Sequence, residues 1–214
     1  MLAVAGVVVS AAAQEPAVVT GRVEIGIPFS SRRPSTAYPT RAVAAPALAP
    51  ESERRNVVVY LTDSQPQTVP TMQVAIRQEH ERFMPRVVAV TIGSEVEFPN
   101  DDPIYHNVFS LSRIKTFNLG RYPRGETRRV RFDKPGIVKV FCDIHSHMSA
   151  TVMVFNHPWF AVPDEAGRFE LPAMPEGNRQ ITAWHARLGD TTIRIDVESG
   201  QTNAADFVLP VPEE

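Results

Sequence analysis

Ile137-Val-Lys-Val-Phe141-Cys142-Asp-Ile-His145-Ser-His147-Met148 is the stretch on which the reading of this 214-residue chain turns. A β-type apolar run, introduced by Pro135-Gly136, ends on the only cysteine of the chain, and a histidine and a methionine follow at i+3 and i+6. Upstream, Asn100-Asp-Asp-Pro-Ile-Tyr-His106-Asn107-Val-Phe109 offers a second imidazole. Two imidazoles, one thiolate and one thioether make a soft, mixed donor set. Thiolate and thioether favour Cu(I), imidazoles also suit Cu(II), and a compromise geometry lets one ion change charge with little rearrangement. The candidate metal donors are therefore His106, Cys142, His145 and Met148, and the cofactor they suit is one mononuclear copper ion.

The bulk properties leave room for that reading. A chain of this length forms one large or two small domains. A formal net charge of -2 gives no pull towards nucleic acid or an anionic membrane. Nineteen prolines and eleven glycines, with many valines and threonines, favour strands and turns. One cysteine excludes an internal disulfide, and a lone thiol in an exported protein is accounted for by metal ligation. Export is expected from Leu2-Ala-Val-Ala-Gly-Val-Val-Val9 followed by Ser10-Ala-Ala-Ala13-Gln14, which has the apolar core and small-residue cleavage site of a secretory signal over residues 1–13. No Lys or Arg precedes Arg22, so the charged start of such a signal is missing and a buried strand is the other reading. The run is too short to span a bilayer.

Along the chain the pattern is all-β. Val18 to Gly26 and Val57-Val-Val-Tyr-Leu61 read as strands, the second apolar enough for burial on both faces. Between them Pro28 to Arg55 carries five prolines and no period, too long for an ordinary loop. Strands follow at 72–77, 86–92, 96–98, 126–132, 137–142 and 150–155. Short strands split by Gly-containing turns occupy 164–209, about four of them, too few for a sandwich on their own.

Residues 71–155 resemble the cupredoxins, the plastocyanin and amicyanin group of blue copper proteins. The resemblance is carried by Phe83-Met-Pro85, Val90-Thr-Ile-Gly93-Ser-Glu-Val96-Glu-Phe98 with Asn100 and Asp102, His106-Asn107, Phe132-x-x-Pro135-Gly136 and Cys142-x-x-His145-x-x-Met148. The last spacing is similar to the short ligand loop of amicyanin. The resemblance implies a Greek-key β-sandwich with His106, Cys142 and His145 as equatorial ligands and Met148 as the axial one. It also implies that Asn107 ties the two ligand loops together by backbone hydrogen bonds. His147 departs from the apolar residue common at its position and reads as a solvated loop residue.

Residues 159–209 resemble the carboxypeptidase regulatory-like, transthyretin-like β-sandwich through Asp164-x-x-Gly167-x-Phe169-x-Leu171-x-x-x-Pro175-x-Gly177. Members open with Gly-x-Val and a second apolar strand, which here match Gly21-Arg-Val23 and Val57 to Leu61, ahead of the copper motif. The expected organisation is a signal at 1–13, N-terminal strands and a Pro-rich loop at 17–66 belonging to the second sandwich, a cupredoxin unit at 67–157, and the rest of the second sandwich at 158–214. A linear series of units is the alternative.

The function this implies is a periplasmic or secreted carrier of one electron between a protein donor and acceptor, such as a cytochrome or a dehydrogenase. It is expected to be a carrier rather than an enzyme, with no nucleic acid partner and no membrane span. A second copper centre would need further His-rich motifs. Two other readings stay open: a copper delivery, sensing or envelope interaction protein, and a structural zinc site, against which the thioether argues. His80, His157 and His185 read as structural. The arginines and lysines between Arg113 and Lys134 read as a solvated strand face or as a docking surface for an acidic partner.

Overall fold

The structure, a computed structural model, describes residues 17–26 and 53–210. The expected signal at 1–13 and nearly all of the Pro-rich stretch lie outside the described residues. Among those residues the regular elements are strands apart from one 3-10 turn, Glu53–Asn56, as a chain rich in β-branched residues and without a 3.6-residue period requires. No helix among them is long and apolar enough to cross a membrane.

Two strands come first, β1 (Ala17–Ile25) and β2 (Val57–Leu61). A middle block of ten follows: β3 (Gln73–Ala75), β4 (Arg77–Glu79), β5 (Arg82–Met84), β6 (Val87–Thr91), β7 (Ser94–Pro99), β8 (His106–Ser112), β9 (Lys115–Tyr122), β10 (Thr127–Phe132), β11 (Gly136–Phe141) and β12 (Ser149–Phe155). The last six are β13 (Phe160–Ala161), β14 (Arg168–Met174), β15 (Gly177–His185), β16 (Gly189–Val197), β17 (Thr202–Ala204) and β18 (Phe207–Leu209). Sequence pattern alone assigns no strand between Pro103 and Glu126, yet β8 and β9 form there. β9 is the edge of its sheet, so it tolerates the polar residues that obscure its alternation.

The middle block makes a sandwich. A three-stranded sheet, β10-β7-β3, faces a five-stranded sheet, β6-β12-β11-β8-β9, and the β4-β5 hairpin closes one side. Inward-pointing Val96, Phe98, Phe132, Val138, Val140 and Val152 fill the space between the sheets. The strands from the two ends of the chain build a second pair of sheets. β1 pairs antiparallel with β14 and parallel with β17 and β18, while β2 lies between β13 and β15, and β15 pairs with β16. Their core holds Val19, Val23, Val59, Leu171, Ile181 and Phe207. Gly21 has a steric reason: a Cβ there would run into the Ala205 carbonyl and the Phe169 ring.

A third apolar layer fuses the two pairs of sheets. Residues of β6 and β12 alternate between the middle core and the outside, and the outward set, Val87, Ala89, Met153 and Phe155, packs with Val58 of β2. Tyr60, Phe160 and Trp184 seal its margin, with Tyr60 5.2 Å and Phe160 4.7 Å from Phe155 between ring centroids. β6 and β12 are thus covered on both faces, which explains their near-continuous apolar runs. Each large side chain so buried contributes roughly 1.5–3 kcal/mol.

Candidate metal centre

The topology brings the candidate donors to one end of the middle sandwich. His106 opens β8, Cys142 follows the last residue of β11, and Met148 precedes the first residue of β12. Phe141 is in register with Ser149 on one side and with Phe109 on the other, so the loop 142–148 rises beside the start of β8. The loop is closed by its own backbone. The Met148 N–H donates to the His145 carbonyl at 3.0 Å, and the Cys142 N–H donates to the Met148 carbonyl at 3.4 Å.

The donor atoms of His106, Cys142 and His145 lie within 4.8 Å of one another. His106 Nδ1 is 3.1 Å from His145 Nδ1, and Cys142 Sγ is 4.0 Å from the same nitrogen. Atoms bonded to one first-row ion at roughly 2.0–2.3 Å lie no more than about 4.6 Å apart, and both separations fall inside that limit. His106 is fully buried, Cys142 is 4% exposed, and His145 reaches the surface. Met148 is buried in the same apolar cluster as Cys142. Two imidazoles and a thiol thus come together, and Met148 lies in the apolar cluster that includes Cys142.

Asp102 sets the chemistry of His106. Its carboxylate accepts from His106 Nε2 at 2.8 Å, from the His80 N–H at 2.6 Å and from the Glu81 N–H at 2.8 Å. Burial opposes ionisation of Asp102, but the Glu81 N–H, the His106 ring and the His80 N–H more than offset it, and its carboxyl is held below the usual range. An ionised Asp102 keeps the proton of His106 on Nε2. That leaves the Nδ1 lone pair bare and aimed at His145, the arrangement a metal-ligating imidazole needs.

Asp102 also shapes the turn above the site. His80 and Glu81 link β4 to β5 with φ of 54° and 56°, so both central residues of the hairpin are left-handed without being Asn or Gly. Their N–H groups are satisfied by Asp102, which holds a conformation these residues would otherwise avoid. The turn places the Glu81 carboxylate 4.0 Å from His145 Nε2 and 3.8 Å from His147 Nε2. Neither this turn nor its carboxylate is visible in the sequence, because the strain is supported by a residue twenty-odd positions away rather than by a local Asn-Gly signal.

A buried polar network anchors the loop that carries His106. Asn100 donates to the carbonyls of Ile104 and Tyr122 at 2.9 and 3.0 Å and accepts from the Asp102 N–H at 3.0 Å. The Tyr122 hydroxyl donates to the Phe98 carbonyl at 2.8 Å and accepts from Gln78 Nε2 at 2.6 Å. Burial raises its pKa, so it stays a donor. The side chain of Asn107 turns away from the ligand loop. Its amide donates to Asn118 Oδ1 at 3.1 Å, across to β9, and its buried Oδ1 has no partner. The tie to the ligand loop comes from β9 as well, where Arg121 pairs with Asp143 at 3.3 Å.

The remaining expectations fall as follows. His147 is exposed beside Glu81. His80 is exposed, while His157 and His185 are buried. The basic stretch is internally paired over much of its length: Arg129 with Glu95 and Glu97, Arg131 and Lys115 with Asp133, and Arg128 with Glu126. Exposed apolar side chains, Ile104, Tyr105 and Ile144, flank the two histidines instead.

No protein-family model matches the chain, and no curated protein matches it. Among solved structures, a copper-containing nitrite reductase from Thermus scotoductus SA-01 is 25% identical with a TM-score of 0.38, over 42% of this chain and 25% of its own. The chain therefore spans about a quarter of that enzyme's length. A purple cupredoxin from Nitrosopumilus maritimus is 24% identical with a TM-score of 0.35, over 39% of this chain and 98% of its own. Amicyanin from Paracoccus versutus is 22% identical with a TM-score of 0.37, over 45% of this chain and 97% of its own.

Proposed function

We propose that this chain is a cupredoxin-type electron carrier in which His106, Cys142 and His145 hold one copper ion and Met148 is its weak fourth contact. A bound copper ion would supply one-electron chemistry by passing between Cu(I) and Cu(II). The observation that carries the reading is the approach of His106 Nδ1 to His145 Nδ1, 3.1 Å apart, beside the chain's one thiol.

The residues divide the work. Asp102 holds the His106 proton on Nε2 and leaves Nδ1 free to ligate. Burial of His106, Cys142 and Met148 keeps water from the inner side. His145 reaches the surface among Ile104, Tyr105 and Ile144, and this small apolar face suits brief docking of a protein donor and then an acceptor. The pairing of the basic stretch with carboxylates argues for contact through that face rather than for charge steering. In the same reading residues 67–157 form the carrier unit. They interrupt a carboxypeptidase regulatory-like, transthyretin-like sandwich made from both ends of the chain, and the protein works in the periplasm or outside the cell. It is a carrier, not a catalyst.

Titration of Cu(II) into the purified protein, followed by visible absorption and electron spin resonance, tests this. An intense thiolate-to-copper band is expected, lost in Cys142→Ser, while Met148→Gln keeps the colour and lowers the reduction potential. Folded protein that binds copper without such a band, or a band that survives Cys142→Ser, overturns the reading.

A further inference from the structure

Each imidazole of the candidate centre turns one nitrogen inward and the other towards a carboxylate. The inward atoms are His106 Nδ1 and His145 Nδ1, 3.1 Å apart, with Cys142 Sγ 4.0 Å from the second. The outward atoms are His106 Nε2, 2.8 Å from Asp102 Oδ2, and His145 Nε2, 4.0 Å from Glu81 Oε2. One turn joins the two carboxylates. Asp102 Oδ2, the oxygen that holds His106, also accepts the Glu81 N–H at 2.8 Å, and Asp102 Oδ1 accepts the His80 N–H at 2.6 Å.

The two carboxylates act differently. Asp102 is buried and hydrogen-bonded to its ring, so it fixes a proton. Glu81 is half-exposed, and its 4.0 Å separation from His145 is beyond hydrogen-bond reach, so it acts by charge. That charge is not taken up by a Lys or Arg. Among the described residues the ion-pair partners of Glu81 are His145 and, at 3.8 Å, His147. Asp143, the carboxylate within the ligand loop itself, is already paired with Arg121 at 3.3 Å. A negative charge beside the outer nitrogen of a ligand attracts that nitrogen outward, keeps the other one inward, and favours the more highly charged state of a bound ion.

We infer that Glu81 is a positioning residue for His145, holding its ring with Nδ1 inward and favouring Cu(II) over Cu(I) at the candidate centre. The inference rests on the copper reading and adds to it a residue from a hairpin outside both ligand loops. Asp102 makes the arrangement possible, because its bonds to the His80 and Glu81 N–H groups hold the left-handed turn, φ 54° and 56°, that carries the carboxylate to His145.

The test is a redox titration of the copper-loaded protein, followed at the thiolate-to-copper band, in the wild type and in Glu81→Gln. The substitution keeps the N–H that Asp102 accepts, so fold and colour are expected to persist. The preference for Cu(II) over Cu(I) is expected to fall about threefold to tenfold, which raises the midpoint by about 30–60 mV for one electron. The difference is expected to shrink as salt is raised, because Glu81 is half-exposed. Glu81→Gln is expected to give the same shift in a His147→Gln background, since the charge acts on His145. A coloured Glu81→Gln protein with an unchanged midpoint, or a shift seen only while His147 is present, overturns the assignment and leaves the copper reading standing. Absence of the band from the wild type removes both.

Discussion

The middle sandwich and the sandwich built from the two chain ends bury comparable apolar cores, but they treat polar groups differently. The end-strand core is apolar throughout, and its buried polar residues, Asn56, Thr182 and His185, sit at its margin. The middle one carries Gln78, Asn100, Asp102, His106 and Asn107 into its interior at a single end, most of them linked by hydrogen bonds that converge on His106. Buried polar groups are costly unless satisfied, so a network of this kind at one end of a valine-rich core sets the candidate site apart from the rest of the interior. The other sandwich has a covering role: it shields the outer face of β6 and β12 that a free-standing middle unit would expose.

That contrast can be broken most forcefully at the seam. Phe155→Ala removes the ring shared by Tyr60 and Phe160 and is expected to cost about 3–5 kcal/mol in urea unfolding, with loss of a single transition for the two sandwiches. If the protein still unfolds in one step with unchanged stability, the two units are not coupled through this layer. Asp102→Asn acts on the polar end instead. It should reduce metal affinity about 10–100-fold in competition with a chelator, without comparable loss of folding, because it unlocks the His106 tautomer rather than the core.

Acid separates the regions more gently. His157 and His185 both lie at the margins of the seam, and burial lowers the pKa of each. A lowered folded-state pKa means that the unfolded chain takes up protons first as pH falls. Their stabilising contribution is complete above the ordinary imidazole value of about 6.5 and declines as pH drops below it towards the folded values. Melting temperature is therefore expected to fall from about pH 6.5 downward, less steeply in His157→Asn. Least of all should follow from Arg129→Gln, which breaks exposed pairs with Glu95 and Glu97 and should change stability by no more than about 1 kcal/mol.

Much of the architecture is legible in the sequence for a physical reason. Strands covered on both faces, β2, β6 and β12, are continuous apolar runs, and the all-β class follows from them. β8 and β9 are hidden because β9 is an edge strand and its pairing with β8 shifts register opposite Asn107–Phe109, so neither keeps a clean alternation. At the candidate site, the convergence of His106 with Cys142 and His145 was foreshadowed by residue type and spacing. The roles of Asp102 and Glu81 were not, because a carboxylate that reaches across to another hairpin leaves no periodic or compositional trace. The direction of the Asn107 amide, towards Asn118 on β9, is likewise invisible in the sequence.

The order of pairing in the end-strand sheets has a consequence for how the molecule is made. Among the described residues β1 pairs only with β14, β17 and β18, so during synthesis it stays an open edge until those three late strands have been made. The middle block, β3 to β12, pairs among its own strands and can assemble while that edge is still waiting. Final closure of the frame around it is a long-range event, the slow kind, and it is the stage at which a chaperone would be of most use.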